Sequence, residues 1–201
     1  MRNNKNTRRK LLRAAKEHIN KYGFKGLNSN QLSIKVNMKH DVVQRVYQGM
    51  NNLIKAYIIS EDYWKELFEQ YTMPQDSAEQ EVRQMFIDIL QANFDKLFAH
   101  KGMQHVIWRQ AGENCTMMRR ISEAREKDGA PFLALTDKFF TGRKTDFRTV
   151  VMYVLGGTYY MMNHASNNKS TIVGRDINRP DHRNMARKTI EEIIKKLWLI
   201  E

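Results

Sequence analysis

Residues 27–47, LNSNQLSIKVNMKHDVVQRVY, read as two short helices joined by a tight turn, and no other segment constrains the chain as much. Asn28 is a helix-start residue whose side chain accepts from an amide of the first turn, and Gln31 follows at capping-box spacing. Leu32 and Val36 then share one face. Asn37 tolerates the left-handed backbone that stops a helix, because its short polar side chain offsets the steric cost. A three-residue turn runs on through Met38 and Lys39. In the next helix Val43, Val46 and Tyr47 recur at i, i+3 and i+4, which is expected to leave His40, Asp41, Val42, Gln44, Arg45 and Gln48 facing outward. So polar a row is what base edges in a DNA major groove require.

The charge distribution agrees with that reading. Residues 1–60 hold 13 Lys and Arg against only Glu17 and Asp41, whereas residues 61–201 hold 21 basic and 20 acidic groups. A basic block on one folded unit gathers polyanions and releases their counterions on contact. A merely soluble basic surface is the bland alternative. Anionic membrane is a weaker one, because the opening helix lacks the Trp or Phe anchors of an interfacial helix.

Three prolines, twelve methionines and little β-branched alternation in 201 residues favour helix throughout, so an all-α fold is expected. Cys115 is the single cysteine, which excludes an internal disulfide and suits a reducing compartment. The basic start MRNNKNTRRK has no apolar stretch after it, as a secretory signal would. Val150 to Met162 is the longest nearly apolar run, short of the roughly 20 residues a bilayer demands. A soluble cytoplasmic protein without membrane contact is the expectation.

A first helix is predicted over Thr7–Tyr22, with Leu11, Leu12, Ala15, Ile19 and Tyr22 as its stripe and Gly23 as its stop. After Gly49 a long helix over about 51–71 carries Leu53, Ile54, Tyr57, Ile58, Trp64, Leu67, Phe68 and Tyr71, too many apolar residues for one isolated unit. Asp76 with Glu79 reads as a second capping box, opening a core helix through Val82, Phe86, Leu90, Phe94 and Leu97 that closes at Lys101 and Gly102. Shorter helices follow at about 103–110, 113–127 and 131–140, the last two parted by the breaker Asp128, Gly129, Ala130, Pro131. A helix over about 146–166 is apolar on several faces, and one over about 183–199 has a wide stripe. This divides the chain into a three-helix head at 1–50 and a helical body at 51–201, joined by the long helix.

From Lys10 to Leu53 the sequence resembles the tetracycline-repressor (TetR) family of bacterial transcriptional regulators. Ala14 and Ala15 in the first helix, the Gly23-Phe24 pair, Leu32 and Val36 in the second, and Tyr47 and Leu53 at the closing positions carry the likeness. Asn37 stands where that family has a turn glycine and Lys39 where it has a small capping hydroxyl. Asp41-Val42 replaces a Gly-Thr pair, Gln44 a phosphate-binding Tyr and Met50 a phosphate-binding Lys. Lys39, Arg45 and the basic residues of the first helix can remake phosphate contacts, since these position a protein without demanding one residue. Asp41 is read first as a helix cap and second as a reader of cytosine N4. Candidate DNA contacts are therefore Asn28, Ser29, Asn30, Lys39, His40, Asp41, Val42, Gln44 and Arg45.

The resemblance further implies a homodimer through the last two helices, a palindromic double-stranded DNA site, and a small effector held in the body. An apolar effector pocket would draw on Phe86, Trp108, Met117, Met118, Phe132, Phe139, Tyr153 and Tyr160, each of which ordinary core packing explains equally well. The six histidines show no metal-ligand spacing, and phosphate loop, nucleophile elbow and paired catalytic acids are all missing, so neither metal, cofactor nor enzymatic activity is expected. A ligand-responsive repressor is the resulting expectation. The alternative is a helical enzyme whose basic head attaches to nucleic acid without sequence preference.

Overall fold

The computed structural model describes residues 2–199, with side chains from residue 4. Ten helices account for most of them: α1 (Arg2–Tyr22), α2 (Ser29–Lys35), α3 (Val42–Tyr47), α4 (Met50–Glu61), α5 (Trp64–Gln70), α6 (Glu79–Ala99), α7 (Lys101–Gly112), α8 (Thr116–Phe140), α9 (Phe147–Asn167) and α10 (Pro180–Trp198). The all-α expectation holds over these residues. No helix among them is long and apolar enough to cross a membrane.

The chain forms two compact units, one of residues 1–62 with 101–119 and one of residues 63–100 with 120–201. In the first, Leu11, Ala14 and Ala15 of α1 pack with Leu32, Val42, Val43, Val46, Tyr47 and Leu53 to make the head core. Gly23, at φ +65°, ends α1, as its position predicted. A Cβ there would stand 3.1 Å from His105 Nδ1, so the stop is also a close approach. The apolar excess of α4 meets α7, whose Met103, Val106 and Ile107 are buried. Burial first, and Lys101 second, hold the His105 imidazole below its ordinary pKa. Lys16 Nζ lies 2.8 Å from Glu61 Oε1, whose side chain is nearly sealed from solvent.

The predicted helix over 51–71 is two helices, parted at Asp62 and Tyr63, where no proline or glycine marks a break. Tertiary structure supplies the reason: Tyr63 is buried in the second unit, and its Oη donates to Asn93 Oδ1 at 2.9 Å. The second capping box expected at Asp76 does not form: α6 starts after Ala78, whose methyl side chain can accept nothing, and only the reverse bond is made, Glu81 Oε2 accepting from the Ala78 amide at 2.9 Å.

In the second unit the expected breaker at 128–131 does not break α8, which runs through Pro131. Phe68 packs against this stretch of the helix. Its ring stacks on Phe132 at 5.0 Å, and a Cβ on Gly129 would stand 3.3 Å from its Cζ, so the small residue admits an aromatic neighbour. Proline supplies a helical φ and forfeits one amide bond, at an exposed position. Asp146 caps α9, its carboxylate accepting from the amides of Arg148 and Thr149 at 3.2 Å, which with the Thr149 hydroxyl holds it below the usual carboxylate range. Phe140, Phe147 and Trp198 meet with centroids 4.8–4.9 Å apart, and Arg187 Nε reaches Asp95 at 2.8 Å to tie α10 to α6. Within α9, Gly156 and Gly157 sit in mid-helix, where each costs about 1 kcal/mol relative to alanine.

Candidate nucleic-acid interface

Helix α2 begins where the sequence placed it: Asn28 Oδ1 accepts from the Gln31 amide at 2.9 Å. The same side chain donates to Gly26 O at 3.0 Å, so both ends of the Asn28 amide are engaged in shaping the loop. Ser29 is half-buried and Asn30 exposed beside it. Asn37 has φ +53°, the left-handed stop its residue type predicted. The connection to α3 is longer than the expected three residues, occupying 36–41, because α2 ends at Lys35 and the Val42 amide bonds back to Lys39 O in a further turn.

Helix α3 presents its polar row much as its periodicity required. Val43, Val46 and Tyr47 are buried, while Lys39, His40, Asp41, Gln44, Arg45 and Gln48 are exposed. Val42 differs from its expected outward placement: it is 0% exposed and belongs to the head core. At the first position of so short a helix, Val42 joins the apolar cluster with Leu11 of α1 and Leu32 of α2, and a valine left in water there would forfeit its burial energy.

Asp41 does not cap α3. Its backbone is αR, at φ −80° and ψ −4°, rather than extended, and its side chain bonds no helix amide. The carboxylate instead faces Arg45 one turn on, with Arg45 Nη1 at 3.2 Å from Oδ2 and 3.4 Å from Oδ1. The pair lies on the same exposed face as Gln44 and Gln48.

Helix α1 supplies further cations to the head. Lys5, Arg8 and Arg9 line an open concavity with Tyr47 and Ala56. Arg8 is the best fixed, since its guanidinium sits 4.5 Å above the Tyr47 ring while Tyr47 Oη donates to Arg8 O at 3.0 Å. Burial lifts the Tyr47 phenol above its usual value, partly offset by Arg8, so it remains a neutral donor. Other cations of the head are engaged internally: Glu17 holds Lys35 at 2.9 Å and Arg13 at 3.1 Å, which keeps its own carboxyl below the usual range.

The eight residues proposed for an effector pocket do not converge. Phe86 and Phe132 line a cavity of about 100 Å³ in the second unit, with Trp64, Phe68, Leu90 and Leu155. Phe139 is half-buried, its ring 4.8 Å from Lys138 Nζ. Tyr153 and Tyr160 stand exposed on α9. Trp108, Met117 and Met118 belong to the first unit, Trp108 exposed, Met117 half-buried and Met118 buried. A larger cleft of about 500 Å³ lies between α9, α10 and the loop joining them, and only Tyr153 of the eight lines it. The signal for it was in the sequence as the uncharged face of α9, which reads as core until the neighbours are known. Among the described residues no three His, Cys, Asp or Glu side chains are placed to hold a metal ion.

No protein-family model matches the sequence, and no curated protein sequence does. Solved structures do share its fold. One is a Clostridium perfringens chain provisionally named as a fatty acid metabolism regulator, with a TM-score of 0.64 at 13% identity over 92% of this chain and 94% of that one. Another is a TetR family transcription regulator from Marinobacter aquaeolei VT8, with a TM-score of 0.52 at 13% identity over 96% and 97%. The chain thus shares an all-helical architecture with these two chains, a likeness of fold at low sequence identity.

Proposed function

We propose that this protein is a DNA-binding transcriptional regulator, a ligand-responsive repressor that binds a palindromic operator as a homodimer through α9 and α10. The observation that carries the reading is the exposed row His40, Asp41, Gln44 and Arg45 on α3, within a segment whose first 60 residues hold 13 basic and two acidic groups. Gln44 has the chemistry to bond adenine N6 and N7, and Arg45 to bond guanine O6 and N7. Lys5, Arg8, Arg9 and Lys39 supply phosphate contacts that set register without reading sequence. Support for the class also comes from the names of the two chains of like fold, both of them regulators.

Regulation is assigned to a population shift. A small apolar or aromatic molecule entering the Phe86–Phe132 cavity selects a body conformation that holds operator less well. A two-fold dimer presents two α3 helices about one helical turn of DNA apart, which accounts for the palindrome.

Titration against random and palindromic duplexes selected from the source genome, at several salt concentrations, tests the reading. A regulator prefers its site by roughly a thousandfold or more. Equal affinity for every duplex sinks it and leaves a nonspecific basic head.

A further inference from the structure

The cleft of about 500 Å³ between α9, α10 and the loop joining them shares no lining residue with the Phe86–Phe132 cavity. Its α9 wall runs from Val150 to Ala165, about 22 Å at 1.5 Å per residue, so the space is long and narrow. Val150, Val154, Ile190 and Ile193 make one end apolar, and no Asp or Glu lines any part of it.

The other end, where α9 stops and α10 begins, gathers hydrogen-bond donors. His182 Nδ1 accepts from the Asp176 amide at 3.0 Å, which leaves the proton of the neutral ring on Nε2. Asp181 Oδ2 lies 3.9 Å from that Nε2, beyond a hydrogen bond, and is held by Arg179 at 2.9 Å. His164 Nδ1 accepts from Asn168 Nδ2 at 3.1 Å, so its Nε2 donates to Ser170 Oγ at 2.9 Å and the Ser170 hydroxyl proton is left to donate elsewhere. Arg175 carries the one fixed charge in the lining, and no carboxylate among the described residues engages it.

An independent observation lies about 10 Å further along the α9 wall. Thr158 lines the cleft and is 1% exposed, yet its hydroxyl makes no hydrogen bond among the described residues, whereas Thr136 and Thr189 each bond a carbonyl of their own helix. A sealed hydroxyl without a partner costs stability, which a bound polar atom would restore.

We propose that this cleft is a second small-molecule site, for an elongated amphipathic anion. Its apolar chain lies along α9 and α10, its carboxylate or similar acceptor-only head meets Arg175, Ser170 and His182, and a hydroxyl or carbonyl about 10 Å from that head meets Thr158. A cationic head would face Arg175 and a row of donors. A wholly apolar ligand would leave Thr158 as it stands.

The test titrates the full chain calorimetrically with 10-hydroxydecanoate, decanoate and decyltrimethylammonium, each below its micelle concentration. The hydroxy acid should bind once per subunit, and the ammonium more weakly by roughly tenfold or more. Arg175→Gln should remove most of that discrimination. Thr158→Val, which keeps the side chain's shape, should remove the preference for the hydroxy acid over decanoate. Ala186→Trp, which puts a ring into the cleft, should abolish binding with helical content retained; the other two variants carry the test if that chain does not fold. Equal binding of acid and ammonium overturns the charged end, and a preference unchanged by Thr158→Val overturns the polar contact. Binding undiminished in a folded Ala186→Trp chain belongs to another cavity and overturns the site. Affinity that falls as protein concentration rises places a second copy in the cleft and overturns it as well. Operator affinity is a separate measurement, so each of these failures leaves the DNA reading standing.

Discussion

Arg45 Nη1 lies 3.2 Å from Asp41 Oδ2, a pair one helical turn apart on the exposed face of α3. As an exposed i,i+4 pair it contributes about 0.3–0.5 kcal/mol to folding, so its consequence is for binding. On the proposed DNA-binding reading it holds the guanidinium that would read a base and would set a carboxylate among phosphates. Asp41→Ala should raise affinity for random duplex and steepen its salt dependence by about one unit of slope. Arg45→Ala should lower affinity for the selected operator by roughly 1–3 kcal/mol and leave thermal stability nearly unchanged. Fluorescence titration and a melting curve measure both; an Arg45→Ala protein with full operator affinity would remove α3 from the interface.

Gly102 is packed closely against Tyr57 in the first unit. A Cβ on Gly102 would overlap Tyr57 Oη and stand 2.5 Å from Asn20 Oδ1. Gly102→Ala should therefore cost about 1–3 kcal/mol in urea unfolding. Tyr57→Phe on the same background should recover part of that loss, a coupling that a double-mutant cycle reads directly.

Tyr57 Oη is also buried without a hydrogen-bond partner. Burial, and secondarily Glu61, push the phenol well above its ordinary value. The folded chain then keeps a proton that the unfolded chain loses above pH of about 10, so stability falls as pH rises from there. Tyr57→Phe should flatten that alkaline slope and be neutral or stabilising by up to about 1 kcal/mol near neutrality. A slope unchanged by the substitution would assign it to other groups.

Asp146 at the start of α9 titrates in the opposite sense. Its lowered pKa means that the cap stabilises above the ordinary carboxylate range and is lost as pH falls through and below it. Asp146→Ala should lower Tm at pH 7 and reduce the acid sensitivity of unfolding, while Asp146→Ser retains most of the cap. Equal melting of all three proteins would show that α9 is held by packing alone.

Pro131 offers a gain. Replacing it by alanine returns an amide to the middle of α8 at an exposed position and should raise unfolding free energy by about 1–3 kcal/mol in urea titration. A loss of stability would mean that the proline ring packs in a way its exposure does not suggest.

What was legible in the sequence was local. Val43, Val46 and Tyr47 announced the buried side of α3, and Asn28, Asn37 and Gly23 announced helix ends, because spacing and capping chemistry act over a few residues. Val42 was misplaced because it adjoins the stripe, and its burial depends on α1 and α2 arriving above it. Tyr63 hid a helix break whose cause, Asn93, lies 30 residues away. Gly129 and Pro131 carried a breaker signal that the continuous α8, packed there against Phe68, does not follow. The proposed ligand residues dispersed because an aromatic or methionine in the sequence specifies neither which of the two units it joins nor, as Trp108, Tyr153 and Tyr160 show, whether it is buried at all.

Helix α7 belongs with α1 and α4 although nearly forty residues separate it from α4 in the chain, and its Met103, Val106 and Ile107 complete their apolar cover. A nascent polypeptide leaving the ribosome therefore cannot finish its N-terminal unit when residue 62 emerges. It must wait, with α1 and α4 incompletely covered, until about fifty further residues have been synthesised. A fragment cut at residue 62 inherits that unfinished state permanently, which makes it an aggregation-prone piece rather than a minimal DNA-binding module.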